Sequence, residues 1–216
     1  MELQKASQEK TKSIHVVVAT SNNWVPFISA FTMAYPHIML SCTTLGISQL
    51  LNNELSFQYS FVLADHNSFL LSQLDSLCLY EEQPIAILPV NHPLAKKDEI
   101  LLTDLTDEIL FLPMTGQSFN MRIKKLFHDH QLPLKHTHEC SDSTCKSMVA
   151  EGRGVSFTSS RTPRSSAYPL AYVPIKVPKC HWEQRLYWDS SRQFTQEELT
   201  FKEFLLDMYN VPRQHH

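Results

Sequence analysis

The sequence predicts an α/β chain folded as two lobes, each a mostly parallel sheet flanked by helices, with a cleft between them. Three observations lead there. Apolar strand-like runs alternate with polar loops and helix-spaced apolar residues from Ile14 onward, the pattern of a parallel sheet with crossover helices. A central stretch, Leu77 to Pro113, holds two further strand-like runs, Ile85 to Val90 and Ile109 to Pro113, around a turn at Asn91, His92 and Pro93. Finally, two chain crossings, near Gln83 and near His181, would leave a hinge.

Taken in order, Ile14 and Val16 to Ala19 suit a strand buried on both faces. After the polar run Thr20 to Asn23, the residues Trp24, Phe27, Ile28, Phe31 and Tyr35 recur at helical spacing. Asn23 as N-cap would put Pro26 at N3, where its missing N–H has no intrahelical acceptor. The unit repeats, with Ile38 to Thr43 as strand and Ile47, Leu50, Leu51 and Leu55 as a helix face; Tyr59 to Leu63 is a third strand. Beyond Gln83-Pro84 a second lobe opens. The central turn follows because Pro93 fixes its own φ and biases His92 away from helix, and the polar run Lys96 to Glu99 comes after it.

Past Ile109 to Pro113, the loop Met114 to Ser118 leads into a helix with Phe119, Ile123, Leu126, Phe127 and His130 on one face. Leu134 to Glu139 alternates like a half-buried strand. Ser143 to Glu151 is a short helix stopped by Gly152, and Val155 to Ser159 is a further strand. Pro163, Pro169, Pro174 and Pro178 then restrict the chain to loops or edge strands. Trp182 to Asp189 is strand-like and recrosses to the first lobe. A final helix starts at a capping box of Thr195 and Glu198, with Phe201, Phe204, Leu205 and Met208 as its stripe. The lobes are therefore 13–83 with 182–216, and 84–181.

Composition narrows the function. The chain of 216 residues is 43% apolar and 19% charged, with no apolar run of the roughly 18 residues needed to span a bilayer, so a water-soluble chain without a membrane partner is expected. A formal charge of −3 supplies no net attraction to phosphate, which disfavours nucleic-acid binding by this chain itself. The polar start carries no secretory signal, and five cysteines without regular spacing argue for reduced thiols, hence a cytoplasmic location.

Asn91-His92-Pro93-Leu94-Ala95, followed by Thr103-Asp104-Leu105 and a buried strand, resembles the effector-binding half of the LysR-type transcriptional regulators. Two further segments are similar: Pro26, Phe31, Tyr35 and Pro36 fit the family's Pro-x-x-x-x-Phe-x-x-x-Tyr-Pro pattern, and Met148 to Val155 its Val-Ala-x-Gly-x-Gly segment. There are departures. Asn53 to Ser56 replaces Gly-x-apolar-Asp, and Ser159-Ser160 stands where a proline usually closes the segment.

The resemblance implies a periplasmic-binding-protein-like fold and a role in transcription regulation: an effector in the interlobe cleft modulates DNA binding by a helix-turn-helix domain absent from this chain. Residues 1–12 would be a remnant of the linker. A homodimer through the first-lobe helices Asn23 to Tyr35 and Ile47 to Leu55 is also implied, with a tetramer as the full-length alternative, and DNA contact only through the missing domain. The alternative reading is a free-standing solute-binding protein of the same bilobal fold. An upstream helix-turn-helix would favour the first and a secretory signal the second.

In open α/β sheets ligands gather at the carboxyl ends of strands, where helix N-termini present free N–H groups. The candidate effector-binding residues are accordingly Thr20, Ser21, Asn22, Thr44, Ser48, Thr115, Gln117 and Ser118, with Thr158 on the strand Val155 to Ser159. Such groups suit a carboxylate or other anion. For each, the competing role is an N-cap that satisfies only its own helix.

Other chemistries are disfavoured. With four glycines, no Gly-x-Ser-x-Gly elbow and no phosphate-cradling loop, neither a catalytic residue nor an enzyme is expected. His128, His130, His136, His138 and Cys140 are metal-capable, but without C-x-x-C or H-E-x-x-H spacing they read as a solvated face, so no metal or cofactor is expected. Cys140 and Cys145 lie away from 114–121, where peroxide-sensing relatives carry their reactive cysteine, and read as small buried side chains. Trp24, Phe27 and Phe31 at helical spacing read as core rather than as a stacking platform.

Overall fold

A computed structural model describes residues 13–19, 24–45, 59–65, 74–114, 118–164, 167–178, 180 and 182–212. The expected second helix, Ile47 to Leu55, lies outside them. The chain divides into two compact units, with boundaries between Tyr80 and Glu81 and between Trp182 and Glu183. Among the described residues, no helix is long and apolar enough to cross a membrane.

The first unit is built on a five-stranded sheet of order β2-β1-β3-β11-β4. Strand β1 (Ser13–Val18) pairs in parallel with β2 (Met39–Thr44) and β3 (Phe61–Asp65), while β11 (Trp182–Trp188) lies antiparallel to β3 and next to β4 (Asp75–Glu82). Both faces of this sheet are covered. Val16 and Val18 point into a cluster with Phe27, Phe31, Phe61, Phe201 and Leu205, whereas Val17 and Ala19 point into another with Val62, Ala64 and Tyr187. Alternate side chains of a strand face opposite sides, so an apolar run without alternation is what such a strand needs.

Helix α1 (Val25–Ala34) and the C-terminal helix supply the larger of these cores. Phe31 meets Phe201 edge-on at 5.0 Å and Phe204 at 5.3 Å, in the T-shaped arrangement that aromatic quadrupoles favour. The expected N-cap of α1 was Asn23, but the cap position falls to Trp24, with Pro26 at N2. Either place tolerates proline, because none of the first four N–H groups has an intrahelical acceptor.

The second unit has a six-stranded sheet of order β6-β10-β5-β9-β7-β8. Its strands are β5 (Pro84–Pro89), the short β6 (Ile100–Leu101), β7 (Ile109–Pro113), β8 (His136–Cys140), β9 (Val155–Ser159) and β10 (Leu170–Lys176). Strands β8 and β9 flank β7 in parallel; β5 runs antiparallel to β9 and to β10. Helix α2 (Ser118–Asp129) covers one face through Phe119, Ile123, Leu126 and Phe127. Helix α3 (Asp142–Ala150) covers the other, with Cys145 and Val149 against Ile87 and Phe111.

The central turn has a detailed structural role. His92 caps a 3-10 turn over Pro93–Lys96: its Nδ1 accepts from the Leu94 N–H at 3.2 Å, which leaves the proton on Nε2 facing Glu108 Oε1 at 3.1 Å. Asp104 Oδ2 accepts the Leu101 N–H at 3.0 Å and opens a second 3-10 turn, Leu102–Leu105.

Four other expectations are corrected. Strand β4 was not foreseen; only Gln83 separates it from β5. Strand β8 is not half-buried but largely exposed, because it is the outermost strand of its sheet and pairs only with β7. His130 lies past the end of α2 rather than on its face, with Nδ1 2.9 Å from the Leu126 carbonyl, and Gln131 follows in the left-handed region at φ 56°. Pro174 sits within β10, a strand with neighbours on both sides. Strand β6 reaches only Ile175 and Lys176, so Pro174 lies just beyond that ladder and its missing N–H breaks none of those bonds.

The final helix, α4 (Gln196–Met208), has the expected capping box: Thr195 Oγ1 accepts from the Glu198 N–H at 3.2 Å, and Glu198 Oε2 accepts from the Thr195 N–H at 2.9 Å. Glu198 also pairs with Arg192, whose Nη1 donates to the Tyr59 carbonyl at 2.9 Å. Thr195→Ala should lower stability by about 1 kcal/mol, read as a lower urea midpoint at unchanged m-value. Gly154→Ala should cost more, about 1–3 kcal/mol, because a Cβ there would sit 2.3 Å from the Ile109 carbonyl oxygen. An unchanged melting temperature for Gly154→Ala would contradict this packing.

Candidate functional site

The carboxyl ends of the strands are where the topology concentrates polar groups. In the first unit β1, β2 and β3 end at Val18, Thr44 and Asp65 on one edge of the sheet, and antiparallel β11 begins there. Thr44 is opposite Val18 in register and exposed, available as a hydroxyl donor. Beside it, the Leu45 N–H is held by the Val18 carbonyl at 3.2 Å. Thr20, Ser21, Asn22 and Ser48 lie outside the described residues.

Sequence reasoning missed the most buried polar group among the described residues of this edge. Asp65 is 2% exposed; its Oδ1 accepts from Gln184 Nε2, and its carbonyl accepts from the Tyr187 hydroxyl at 3.3 Å. A carboxylate at that depth requires hydrogen-bond partners, and here they come from β11, more than a hundred residues away. The only signal was an aspartate ending an otherwise apolar strand, Phe61-Val62-Leu63-Ala64-Asp65.

In the second unit, β7, β8 and β9 end at Pro113, Cys140 and Ser159 on the edge where β5 begins. Helices α2 and α3 follow β7 and β8, so each presents its N-terminus after a strand end. Ser118 is the first residue of α2, whereas Thr115 and Gln117 lie outside the described residues. Thr158 is buried within β9, opposite Ile85. Next to it, Ser159 Oγ lies 3.0 Å from Thr162 Oγ1. Ser160 both donates its N–H to the Gln83 carbonyl at 2.8 Å and accepts the Gln83 N–H on Oγ at 2.9 Å. A proline at 160 could not make the first of these bonds.

The capping alternative is realised at Ser141, whose Oγ accepts the Thr144 N–H at 3.2 Å. That hydroxyl is committed to α3 and was not among the candidates. Of the candidates, the structure brings Thr44 to the edge of one unit and Ser118 and Thr158 to that of the other.

Other chemistry can be weighed residue by residue. Among the described residues, no three His, Cys, Asp or Glu side chains converge as a metal ion would require. His138 instead stacks on Phe111, ring centroids 5.6 Å apart. Burial pushes the Cys42 thiol up to about 11 and raises Cys180 as well, so both are poor nucleophiles at neutral pH.

Comparison with known proteins agrees with this architecture. Residues 6–210 match the family described as the LysR substrate binding domain. The transcriptional dual regulator GltC of Bacillus subtilis is 24% identical over 194 residues, 87% of this chain and 63% of that protein. The nitrogen assimilation regulatory protein nac of Klebsiella aerogenes is 26% identical over 201 residues, 82% of this chain and 64% of that one. The chain thus spans less than two thirds of these relatives.

Among solved structures, the BenM effector binding domain with its effector benzoate superposes with a TM-score of 0.78 at 18% identity, covering 94% of this chain and 98% of that one. The Synechocystis PCC6803 CcmR regulatory domain in complex with 2-PG gives 0.75 at 19% identity, covering 92% and 98%. Sharing with them two α/β units, and matching the family over nearly its whole length, this chain belongs to the LysR substrate binding domain family.

Proposed function

We propose that this chain is the sensing part of a LysR-type transcriptional regulator, binding a small anionic effector, most simply a carboxylate. DNA binding is assigned to a helix-turn-helix domain outside the chain, and the active form is assigned as a cytoplasmic homodimer that is not an enzyme. The observation that carries this reading is the placement of the N-termini of α2 and α3 directly after the carboxyl ends of β7 and β8, with the exposed Thr44 at the corresponding edge of the first unit. Helix N-termini carry a partial positive charge, so an anion gains there both electrostatically and by hydrogen bonding. The reading is supported by the ligands of two fold relatives, both carboxylates: benzoate, the effector of BenM, and shikimate, in complex with the effector binding domain of QuiR. The curated relatives are regulators, which favours this reading over a free-standing solute binder.

The effector groups in this proposal are Ser21, Thr44, Thr115 and Ser118, drawn from both units. A ligand shifts a conformational equilibrium only through contacts it makes in one state and not the other. A thermal-shift screen of small carboxylates should find one that raises the melting temperature. Each alanine variant should then weaken it by about 0.5–1.5 kcal/mol per neutral hydrogen bond lost, measured by calorimetry beside the ligand-free melting temperature. If all four variants bind as the parent does, the site is elsewhere.

Two properties follow for the chain alone. Light scattering at tens of micromolar, roughly the scale of weak interfaces, should report a dimer, and a monomer would count against the isologous pairing. Gel shift should show no sequence-dependent binding of duplex DNA, because the net charge is −3 and the reading helix is assigned elsewhere.

A further inference from the structure

The sulfurs of Cys140 and Cys145 lie 3.0 Å apart. Cys140 is the last residue of β8 and Cys145 lies in the first turn of α3, so the strand-to-helix connection itself brings them together. A disulfide bond is about 2.04 Å long, so the pair has only about 1 Å to close. The two thiols differ in access: Cys140 is half-buried, whereas Cys145 is 1% exposed in a cluster with Ile87, Phe111 and Val149. Cys140 directly precedes Ser141, the N-cap of α3. The two carboxylates nearest in sequence are both paired, Glu139 with Lys124 and Asp142 with Lys146 at 2.6 Å.

We propose that Cys140 and Cys145 are a modification site, a dithiol that hydrogen peroxide converts to a reversible disulfide. The assignment is independent of the effector reading. The half-buried Cys140 sulfur attacks one peroxide oxygen; the O–O bond breaks, the other oxygen leaves as water, and Cys140 becomes a sulfenic acid. The Cys145 sulfur, already in contact, attacks the Cys140 sulfur. The S–O bond breaks, the S–S bond forms, and the hydroxyl leaves as a second water with the Cys145 proton. Two thiols and one peroxide give one disulfide and two waters, with both sulfurs oxidised and both oxygens reduced. Burial pushes the Cys145 thiol up to about 12, so it does not compete with Cys140 for the first step, and its part in the second rests on its contact with the Cys140 sulfur. The bond would tie the end of β8 to α3, the helix that covers β5, β7 and β9.

The test uses the purified chain and stoichiometric hydrogen peroxide. Both cysteines fall in one tryptic peptide, His136 to Lys146, so the disulfide should appear as that peptide two hydrogens lighter, with titratable thiols falling from five to three and returning with dithiothreitol. In Cys145→Ser the Cys140 sulfenic acid should persist and be trapped by dimedone; in Cys140→Ser the peptide should stay unoxidised. The proposal is overturned if peroxide leaves both thiols of the parent peptide alkylatable. A disulfide to Cys42, Cys78 or Cys180 would overturn it equally, as would direct passage to sulfinic acid.

Discussion

Arg122 ties the start of the second unit to its end. Its Nη1 lies 3.1 Å from Glu82 Oε1, on the segment that leaves the first unit, and its guanidinium covers the ring of Trp182, on the segment that returns, at 4.5 Å. Phe119 closes the arrangement, 5.4 Å from the same guanidinium and edge-on to Trp182. Glu82 and Arg122 are 2% and 4% exposed, and a pair so buried gains little over an apolar pair of the same shape because both ions lose their water. What it supplies is position. A carboxylate at that depth accepts only an arrangement that keeps its cation beside it, so α2 is held in one register against the first and last residues of its own unit. The flat guanidinium can meet a carboxylate edge-on and an indole face at once, which a lysine ammonium cannot.

The sheets follow from a similar requirement applied to the backbone. A parallel strand needs a crossover, and crossovers put helices on the faces, so its side chains must be apolar in both directions. In the second unit, Leu110 and Leu112 go to the cluster beneath α2, and Phe111 between them goes to the cluster beneath α3. Strand β8 lies outside this rule. It is the outermost strand and pairs only with β7, and its sequence, His136-Thr137-His138-Glu139-Cys140, is polar throughout until the last residue.

That contrast explains what the sequence made legible. Strands buried on both faces and helices with an apolar stripe were readable because burial writes an unbroken apolar run into the first and a period into the second: β1, β7, β9, α2 and α4 all stand within a residue or two of where those patterns placed them. Strand β4 was hidden because Asp75, Ser76, Glu81 and Glu82 lower its apolar content and Gln83 alone divides it from β5. Pro174 argued for an edge because sequence cannot show that β6 stops one residue short of it. His92 and Asp104, on which the family resemblance rested, prove to hold two 3-10 turns, so the most recognisable motif in the chain is turn chemistry. The candidate site was legible only as a set of strand ends. Asp65 escaped because its partners lie on β11, and the Cys140 to Cys145 contact because a spacing of five residues acquires meaning only once a strand end and a helix start lie at it.

Asp65 carries the remaining step. The carboxyl edge of a parallel sheet is where apolar packing gives out, yet a binding edge needs its backbone fixed before a ligand arrives. In the first unit the fixing is polar. Gln184 holds the Asp65 carboxylate and Tyr187 its carbonyl, so the end of β3 is bound to β11 by side chains as well as by the antiparallel ladder, whose register sets Gln184 opposite Asp65 itself. The second unit reaches the same result by another route, with Ser160 and Gln83 exchanging bonds beyond the paired Ser159 and Pro84. Ser159-Ser160, a departure from the family's proline, thereby replaces a rigid ring with an N–H and two hydroxyls, one N–H and one hydroxyl of which fasten the start of β5. In both units the groups that stiffen the edge are buried or already bonded, whereas Thr44, at the end of β2, is exposed.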